Sequence, residues 1–347
     1  MRETRDAPLC RKCAGRLLLC ALFLSFLGSY ISLTSIRIND PTIINAEIDY
    51  GLTSISSFDP SPAFSKPIGD NTSTLTVLIS TYNQTDCLHR LVSQLQTCSE
   101  VVDNIRINWF QSSPIPPSIA NNSNWEIPVT FDVLPNRISH RFLPRDFRTD
   151  AVFNMDVDMA YSCEALQLSM DTWLKQPNQT HTAIGFFPRK LPTDGKYYRF
   201  DESHFAPYNR NTVFITKGGV MHKSRFEDFF ESTLTPMLNS VDEHITAEDM
   251  LMSYVFASNQ VKIITLCVPR SYWCNIVCAS DYKKGRYNTL QKRSGGQRGQ
   301  LLSSFRDYFG NVLMDNEDNQ MIWHDGTKYG DECNTEYNLC RQHDWMK

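Results

Sequence analysis

The 347-residue sequence has no basic excess: 34 Lys and Arg stand against 38 Asp and Glu, for a formal net charge of −4, and the cations are scattered along the chain. The electrostatic footprint of a protein that neutralises a phosphate backbone is therefore missing, so nucleic acid is not an expected partner. No internal repeat appears, and the length left after an N-terminal apolar segment and a polar spacer, about 270 residues, is most simply one compact domain. Beyond that N-terminal segment there is no C-x-x-C pair either. Cys274 with Cys278, and Cys333 with Cys340, have the wrong spacing and no matching second half, which argues against a zinc site. One absence is local: from Leu17 to Ile36 the chain carries no charged residue.

That twenty-residue run is long enough as a helix to cross about 30 Å of hydrocarbon. Arg2, Arg5, Arg11, Lys12 and Arg16 precede it against only Glu3 and Asp6. The positive-inside rule then keeps residues 1–16 cytosolic and sends the remainder into the lumen as a single-pass type II protein. A cleaved signal peptide is the competing reading, with Gly28 and Ser29 as small residues near a cleavage site. Either way the bulk of the chain enters the secretory lumen. Eight cysteines downstream, Cys87, Cys98, Cys163, Cys267, Cys274, Cys278, Cys333 and Cys340, form an even set, and disulfides are expected without a readable pairing. Sequons at Asn71, Asn121 and Asn178 fit lumenal surface loops, whereas the one at Asn83 falls inside a candidate site and is expected to stay unmodified.

Residues 37–73 are rich in Ser, Thr, Pro, Ile and Asp without a period and read as a stem, leaving 74–347 as the folded domain. The domain opens with the apolar run LTVLIS, the loop TYNQTD and a capped helix whose Leu88, Leu91, Val92 and Leu95 share one face. Further extended runs are predicted at 105–110, 129–134, 151–155, 183–187, 212–216 and 261–266, several with helical stretches between them. Strands alternating with helices predict an α/β fold with a mainly parallel twisted sheet flanked by helices. Such sheets place ligand sites at the carboxyl ends of their strands.

The sharpest chemical feature stands at such an end. In AVFNMDVDMA an apolar strand runs into Asp156 and Asp158. In an extended chain residues i and i+2 share a face, so both carboxylates can address one Mn²⁺ or Mg²⁺ bridging two phosphates; a solvated turn is the bland alternative. Asp249 in HITAEDMLMSYVF is a second candidate, although Thr246 and Asp249 also have the spacing of a capping box. Gly218 and Gly219 allow close approach of backbone to a ligand or simply end a strand. Phe186, Phe187, Pro188, Arg189, Tyr197, Tyr198 and Trp273 are candidates for a sugar cleft or, equally, for core and rim. His324 is a further possible ligand, or an ordinary hydrogen-bonded histidine.

Taken in order, these segments resemble the C-terminal glycosyltransferase domain of the exostosin family, over roughly Thr76 to Arg293. The motifs that carry the resemblance are Thr81-Tyr82-Asn83 with Thr85 and Asp86, then Asn136 and Arg141 in LPNRISHRF, then NMDVDM. Trp173, GFFPR, TKGGVMHK and AEDMLMSYV follow. The resemblance implies a GT-A type fold and a retaining transfer of a sugar, an N-acetylhexosamine or hexose, from a UDP-sugar to a glycan or glycolipid acceptor. It implies Mn²⁺ (or Mg²⁺) and a Golgi or endoplasmic-reticulum membrane location. It assigns nucleotide-sugar contacts to Thr81, Tyr82, Asn83, Asn136, Arg141, Asp156 and Gly218, and metal binding to Asp158 with Asp156. It places Asp249 near the anomeric carbon and Arg293 at the donor diphosphate. The sequence departs from the family pattern at Val157, Gln84, and Phe110-Gln111, and two family cysteines are replaced together by Ala247 and Gly296. A catalytically inactive lumenal module of the same fold, binding glycan or a partner protein, is the alternative.

Overall fold

The computed structural model describes residues 73–120, 122–187, 189, 213–276, 278, 289–310, 312 and 319–323, with backbone only at 289–296 and 323. The apolar segment 17–36, the stem to residue 72, the sequons at Asn71 and Asn121, and Pro188, Tyr197, Tyr198, His324, Cys333 and Cys340 lie outside the described residues. Among the described residues no helix is long and apolar enough to cross a membrane.

The first strand, β1 (Leu75–Thr81), is buried along nearly its whole length, as a continuous Leu, Val and Ile run should be when both faces of a sheet are covered. Helix α1 (Thr85–Leu95) follows, burying Leu88, Leu91, Val92 and Leu95 as the periodicity predicts. Its start carries no side-chain cap: Gln84 occupies the N-cap position and only Asp86 in the first turn complements the dipole. Then come β2 (Val102–Trp109), the short α2 (Pro117–Ala120), β3 (Val129–Val133), a 3₁₀ turn over Ile138–Phe142, and β4 (Ala151–Asp156). The next elements are β5 (Met159–Tyr161), α3 (Cys163–Leu174), β6 (Thr182–Gly185), β7 (Gly218–His222), α4 (Arg225–Phe229) and α5 (Thr235–His244). The described chain ends with α6 (Glu248–Ser258), β8 (Lys262–Cys267), β9 (Trp273–Asn275), α7 (Thr289–Phe309) and β10 (Gln320–Trp323).

Eight strands form one sheet in the order β10-β8-β6-β7-β4-β1-β2-β3, and β5 pairs with β9 in a separate two-stranded ribbon. All neighbours in the large sheet are parallel except β7, which runs against both β4 and β6. This is the mixed α/β architecture with a mostly parallel sheet that the alternation predicts. From β1 the chain builds outward to β2 and β3, then returns to place β4 on the other flank of β1. That reversal opens a crevice at the carboxyl ends of β1 and β4, where Ser80 stands opposite Asp156.

One predicted strand is displaced. Residues 213–216 are not in the sheet: the Phe214 N–H donates to Ser253 Oγ at 2.9 Å, and the strand is instead Gly218–His222. Glycines lower strand propensity, but here their missing side chains are what lets the strand fit. A Cβ on Gly218 would come within 1.9 Å of Tyr161 Oη, and one on Gly219 within 2.6 Å of Phe214 and of the Ile184 carbonyl. The side-chain direction of both glycines is filled by the protein, not open to a ligand. Phe186, Phe187 and Trp273 are likewise core residues, each no more than 3 % exposed, with Trp273 edge-on to Phe187. They do not line a cleft, and burying their rings is the larger hydrophobic gain.

The expectation of disulfides holds: Cys87 pairs with Cys278 and Cys98 with Cys163, across 191 and 65 residues, and Cys267 and Cys274 are also oxidised. The first bond ties α1 to the segment after β9, and the second ties the end of α1 to the start of α3. Loops of this length lose substantial unfolded-state entropy when closed, so Cys87→Ser is expected to lower unfolding stability by about 2–5 kcal/mol. Urea denaturation of the oxidised protein checks this; a variant with an unchanged midpoint would show that the Cys87–Cys278 bond does not constrain the fold.

Candidate active site

The site is built around Arg141. The 3₁₀ turn that carries it is fixed from two sides. Ser139 donates through both its N–H and its hydroxyl to the two carboxylate oxygens of Asp242 on α5, each at 2.8 Å. Asn108 at the end of β2 donates from Nδ2 to the Arg141 carbonyl at 3.3 Å. Held this way, the guanidinium is buried and donates from Nη2 to Asp156 Oδ1 at 2.7 Å and to the Thr216 carbonyl at 2.9 Å, and from Nη1 to Glu248 Oε1 at 3.1 Å. Three separate parts of the chain, the end of β4, the segment before β7 and the start of α6, thus meet on one side chain.

Burial alone would favour loss of the Arg141 proton, but the charges of Asp156, Glu248 and Asp249 outweigh it and hold its pKa above the usual arginine value. Glu248 responds in the opposite sense. Burial, then the neighbouring charge of Asp249, push its carboxyl from the usual 4.5 up to about 7, although Arg141 opposes the rise. The Tyr161 phenol is driven well above its ordinary value by burial and then by Asp156 and Asp158. It therefore stays protonated, and it donates to the Lys217 carbonyl at 3.1 Å across Gly218.

Asp156 ends β4, and Asp158 belongs to a tight turn into β5; both are half-buried. The pair is therefore not on an extended strand, as the i, i+2 pattern predicted. The strand stops because Val157 turns inward, buried, with its N–H bonded to the Ser80 carbonyl at 3.3 Å. The Asp158 carbonyl accepts from Ile276 N–H at 2.7 Å, which pins the turn against the end of β9. Across the crevice, Thr81 is buried at the end of β1 and Tyr82 is 45 % exposed. Asn83 adopts a left-handed conformation with φ of 58°, which asparagine tolerates, and its N–H donates to the Gln111 side chain. Asn136 stands exposed in the loop before the 3₁₀ turn.

The capping-box reading of Thr246 and Asp249 fails on geometry. Ala247, with φ of 70°, is the N-cap of α6 and no side chain caps the helix. The Thr246 hydroxyl instead accepts from Arg298 Nε at 2.8 Å, and Asp249 Oδ1 accepts from the next N–H, Met250, at 2.9 Å. Asp249 is thus free of a capping duty and sits, buried, in the first turn of α6 beside Glu248, where the helix dipole favours negative charge. Arg293 lies on α7, with its side chain outside the described residues.

The structure therefore gathers Arg141, Asp156 and Asp249, with Asp158 one turn away, and adds Glu248, Asp242 and Gln111, which the sequence reading had not singled out. Glu248 was within reach, as the first acid of an adjacent acidic pair. Asp242 and Gln111 act on backbone groups far off in sequence, and no local pattern marks them.

Residues 75–322 match the glycosyl transferase family 64 domain. The chain belongs to this family. Among curated relatives it is 25 % identical over 203 residues to glycosylinositol phosphorylceramide mannosyl transferase 1 of Arabidopsis thaliana, a match covering 53 % of this chain and 59 % of that one. It is 23 % identical over 263 residues to human Exostosin-2, covering 73 % of this chain and 34 % of that protein. The chain thus spans well under two thirds of the length of either relative. Among solved structures, the mannosyltransferase PcManGT from Pyrobaculum calidifontis, in complex with GDP-Man and Mn²⁺, is matched distantly, with a TM-score of 0.38 and 12 % identity over 69 % of this chain and 72 % of that one.

The raised carboxyl of Glu248 has a pH consequence. Between the unfolded value of 4.5 and the folded value of about 7, the unfolded chain releases this proton while the folded site retains it. Over that window this group makes stability fall as pH rises. The gap in melting temperature between wild type and Glu248→Gln, which keeps a hydrogen-bonding side chain without the charge, is expected to shift in favour of the variant as pH rises from 5 to above about 7. Parallel pH profiles would contradict the assignment.

Proposed function

We propose that this family 64 domain is a GT-A type, metal-dependent glycosyltransferase. In this reading it moves a sugar, an N-acetylhexosamine or hexose, from a UDP-sugar to a glycan or glycolipid acceptor with retention of anomeric configuration. The observation that carries this reading is the convergence of Asp156, Glu248 and Asp249 on the buried Arg141, at the carboxyl ends of β1 and β4. A module that only binds a glycan has no need to hold several carboxylates and a guanidinium in one buried cluster.

The donor set suits a hard divalent cation, Mn²⁺ or Mg²⁺. Asp156 and Asp158 offer carboxylate oxygens from one turn, and among the described residues no group of three or more His, Cys, Asp and Glu is placed to hold a metal alone. A site with two carboxylates leaves the other positions to diphosphate oxygens and water, the usual arrangement where the cation arrives with a nucleotide. The chemistry such a cation supplies when bound is neutralisation of the charge that grows on the departing diphosphate.

The chain's own groups do the rest. The Thr81–Asn83 loop, shaped by the left-handed Asn83 and its bond to Gln111, lies beside the acidic turn and receives the nucleotide. Asp156 shares its carboxylate between that side of the site and Arg141, which holds a fixed positive charge where the donor sugar and diphosphate meet. Asp249, fixed by the Met250 N–H, presents a carboxylate toward the reacting carbon and acts by orienting the acceptor hydroxyl, by stabilising positive charge at that carbon, or as a nucleophile. Arg293 is proposed as a diphosphate contact. The charge-free segment 17–36 and its basic flank support a lumenal, single-pass type II topology, and the family resemblance supports the Golgi or endoplasmic reticulum as its location. The name of the Arabidopsis relative makes a mannose donor a candidate beside the UDP-sugars.

The test is release of nucleotide by the full chain from a panel of UDP- and GDP-sugars, with Mn²⁺ or with EDTA. Turnover is expected with one donor, only in the presence of metal. Asp158→Asn should abolish it, and Asp249→Asn should cut it at least about a hundredfold, with donor affinity intact. No turnover and no nucleotide binding across the panel would replace this reading with the inactive binding module, and full activity in either variant would remove that residue from the site.

A further inference from the structure

The two acids at the start of α6 are aimed by a short reversal that no local sequence preference supports. Helices α5 and α6 are joined through Ile245, Thr246 and Ala247 alone, and the outer two residues have φ of 50° and 70°. Neither is glycine or asparagine. A β-branched residue in the left-handed region is a true outlier, and such strained residues persist only where the surroundings over-determine them. Ala247 is fully buried and Thr246 nearly so, while Ile245 is 54 % exposed, so the second half of the reversal is packed into the protein and its first residue faces solvent.

What grips it from outside the two helices is α7. The Thr246 hydroxyl accepts from Arg298 Nε at 2.8 Å. Arg298, Leu301, Leu302 and Phe305 occupy positions i, i+3, i+4 and i+7, one face of the helix. The three apolar members of that face are buried, and the ring of Phe305 stands edge-on to Tyr254 of α6 at 6.0 Å. Phe309, one turn further on, stacks on the same Tyr254 with ring centres 5.4 Å apart. The register of α7 against α6 is therefore set by packing, and that register delivers the guanidinium to Thr246.

We propose that Arg298 is a positioning residue: its bond to Thr246 holds the left-handed Ile245–Ala247 reversal in the form that points Glu248 at Arg141 and Asp249 into the site. This deepens the transferase reading and rests on it for its functional consequence, but the mechanical part stands separately. Arg298, fifty-two residues from Thr246, thereby contributes to the geometry of the reaction without itself touching donor or acceptor.

The experiment compares full-length wild type with Arg298→Ala, Thr246→Val, Thr246→Ser and the Arg298→Ala/Thr246→Val double variant, by hydrogen exchange of residues 245–252 and by turnover with the active donor. Losing one hydrogen bond from a charged donor should speed exchange in that segment about tenfold in Arg298→Ala and in Thr246→Val, while buried amides of β1 and β4 keep their wild-type rates. The double variant should be no worse than either single one, and Thr246→Ser, which keeps the hydroxyl, should behave as wild type. Turnover should fall in kcat with KM for the donor unchanged. Equal behaviour of Thr246→Ser and Thr246→Val, additive effects in the double variant, or faster exchange throughout α6 and α7 would overturn the proposal and leave Arg298 a packing residue. A wild type without turnover would sink the transferase reading alone, since the exchange pattern still decides the mechanical claim.

Discussion

A guanidinium removed from water must be surrounded by acceptors or the fold loses several kcal/mol, and the acceptors must themselves be held in place. Arg141 imposes this condition on the domain. Its partners come from the end of β4, the segment before β7 and the start of α6, and its own backbone is held by β2 through Asn108 and, through Ser139, by Asp242 on α5. Sheet, 3₁₀ turn and helices together supply acceptors to both terminal nitrogens of the guanidinium, while its buried Nε has no partner among the described residues. The same arrangement leaves an acidic turn, a second acidic pair and a fixed cation around the topological reversal of the sheet, which is where an α/β fold offers a crevice.

The carboxylates outnumber the cation that joins them. Asp156, Glu248 and Asp249 act on one arginine, Arg141, and burial together with the neighbouring charge of Asp249 pushes the Glu248 carboxyl up to about 7.

Much of this was legible in the sequence. The buried β1 run, the α1 stripe and the carboxylates at the end of β4 all follow from patterns of two to ten residues. What escaped was set by contacts across the chain. The strand Gly218–His222 was hidden because glycine reads as a breaker, and Tyr161, nearly sixty residues before Gly218, together with Phe214 and the Ile184 carbonyl at Gly219, explains why nothing larger fits. The Asp156–Asp158 pair looked extended because the turn is made by the inward pull on Val157 and by the hold of Ile276 on Asp158. Thr246 looked like a cap because its true partner, Arg298, is fifty-two residues away. Phe186, Phe187 and Trp273 were ambiguous between cleft and core, since an aromatic ring serves either and burial alone decides.

The measurement closest to the central claim is a double-mutant cycle on unfolding stability with Asp156→Asn, Glu248→Gln and the double variant. Each single variant leaves the other carboxylate to hold Arg141 and relieves its repulsion, so the double variant should cost more than the sum of the singles by about 1 kcal/mol or more. Additivity to within about 0.5 kcal/mol would mean that the two acids do not share one arginine, and the account of the site built on that sharing would be contradicted.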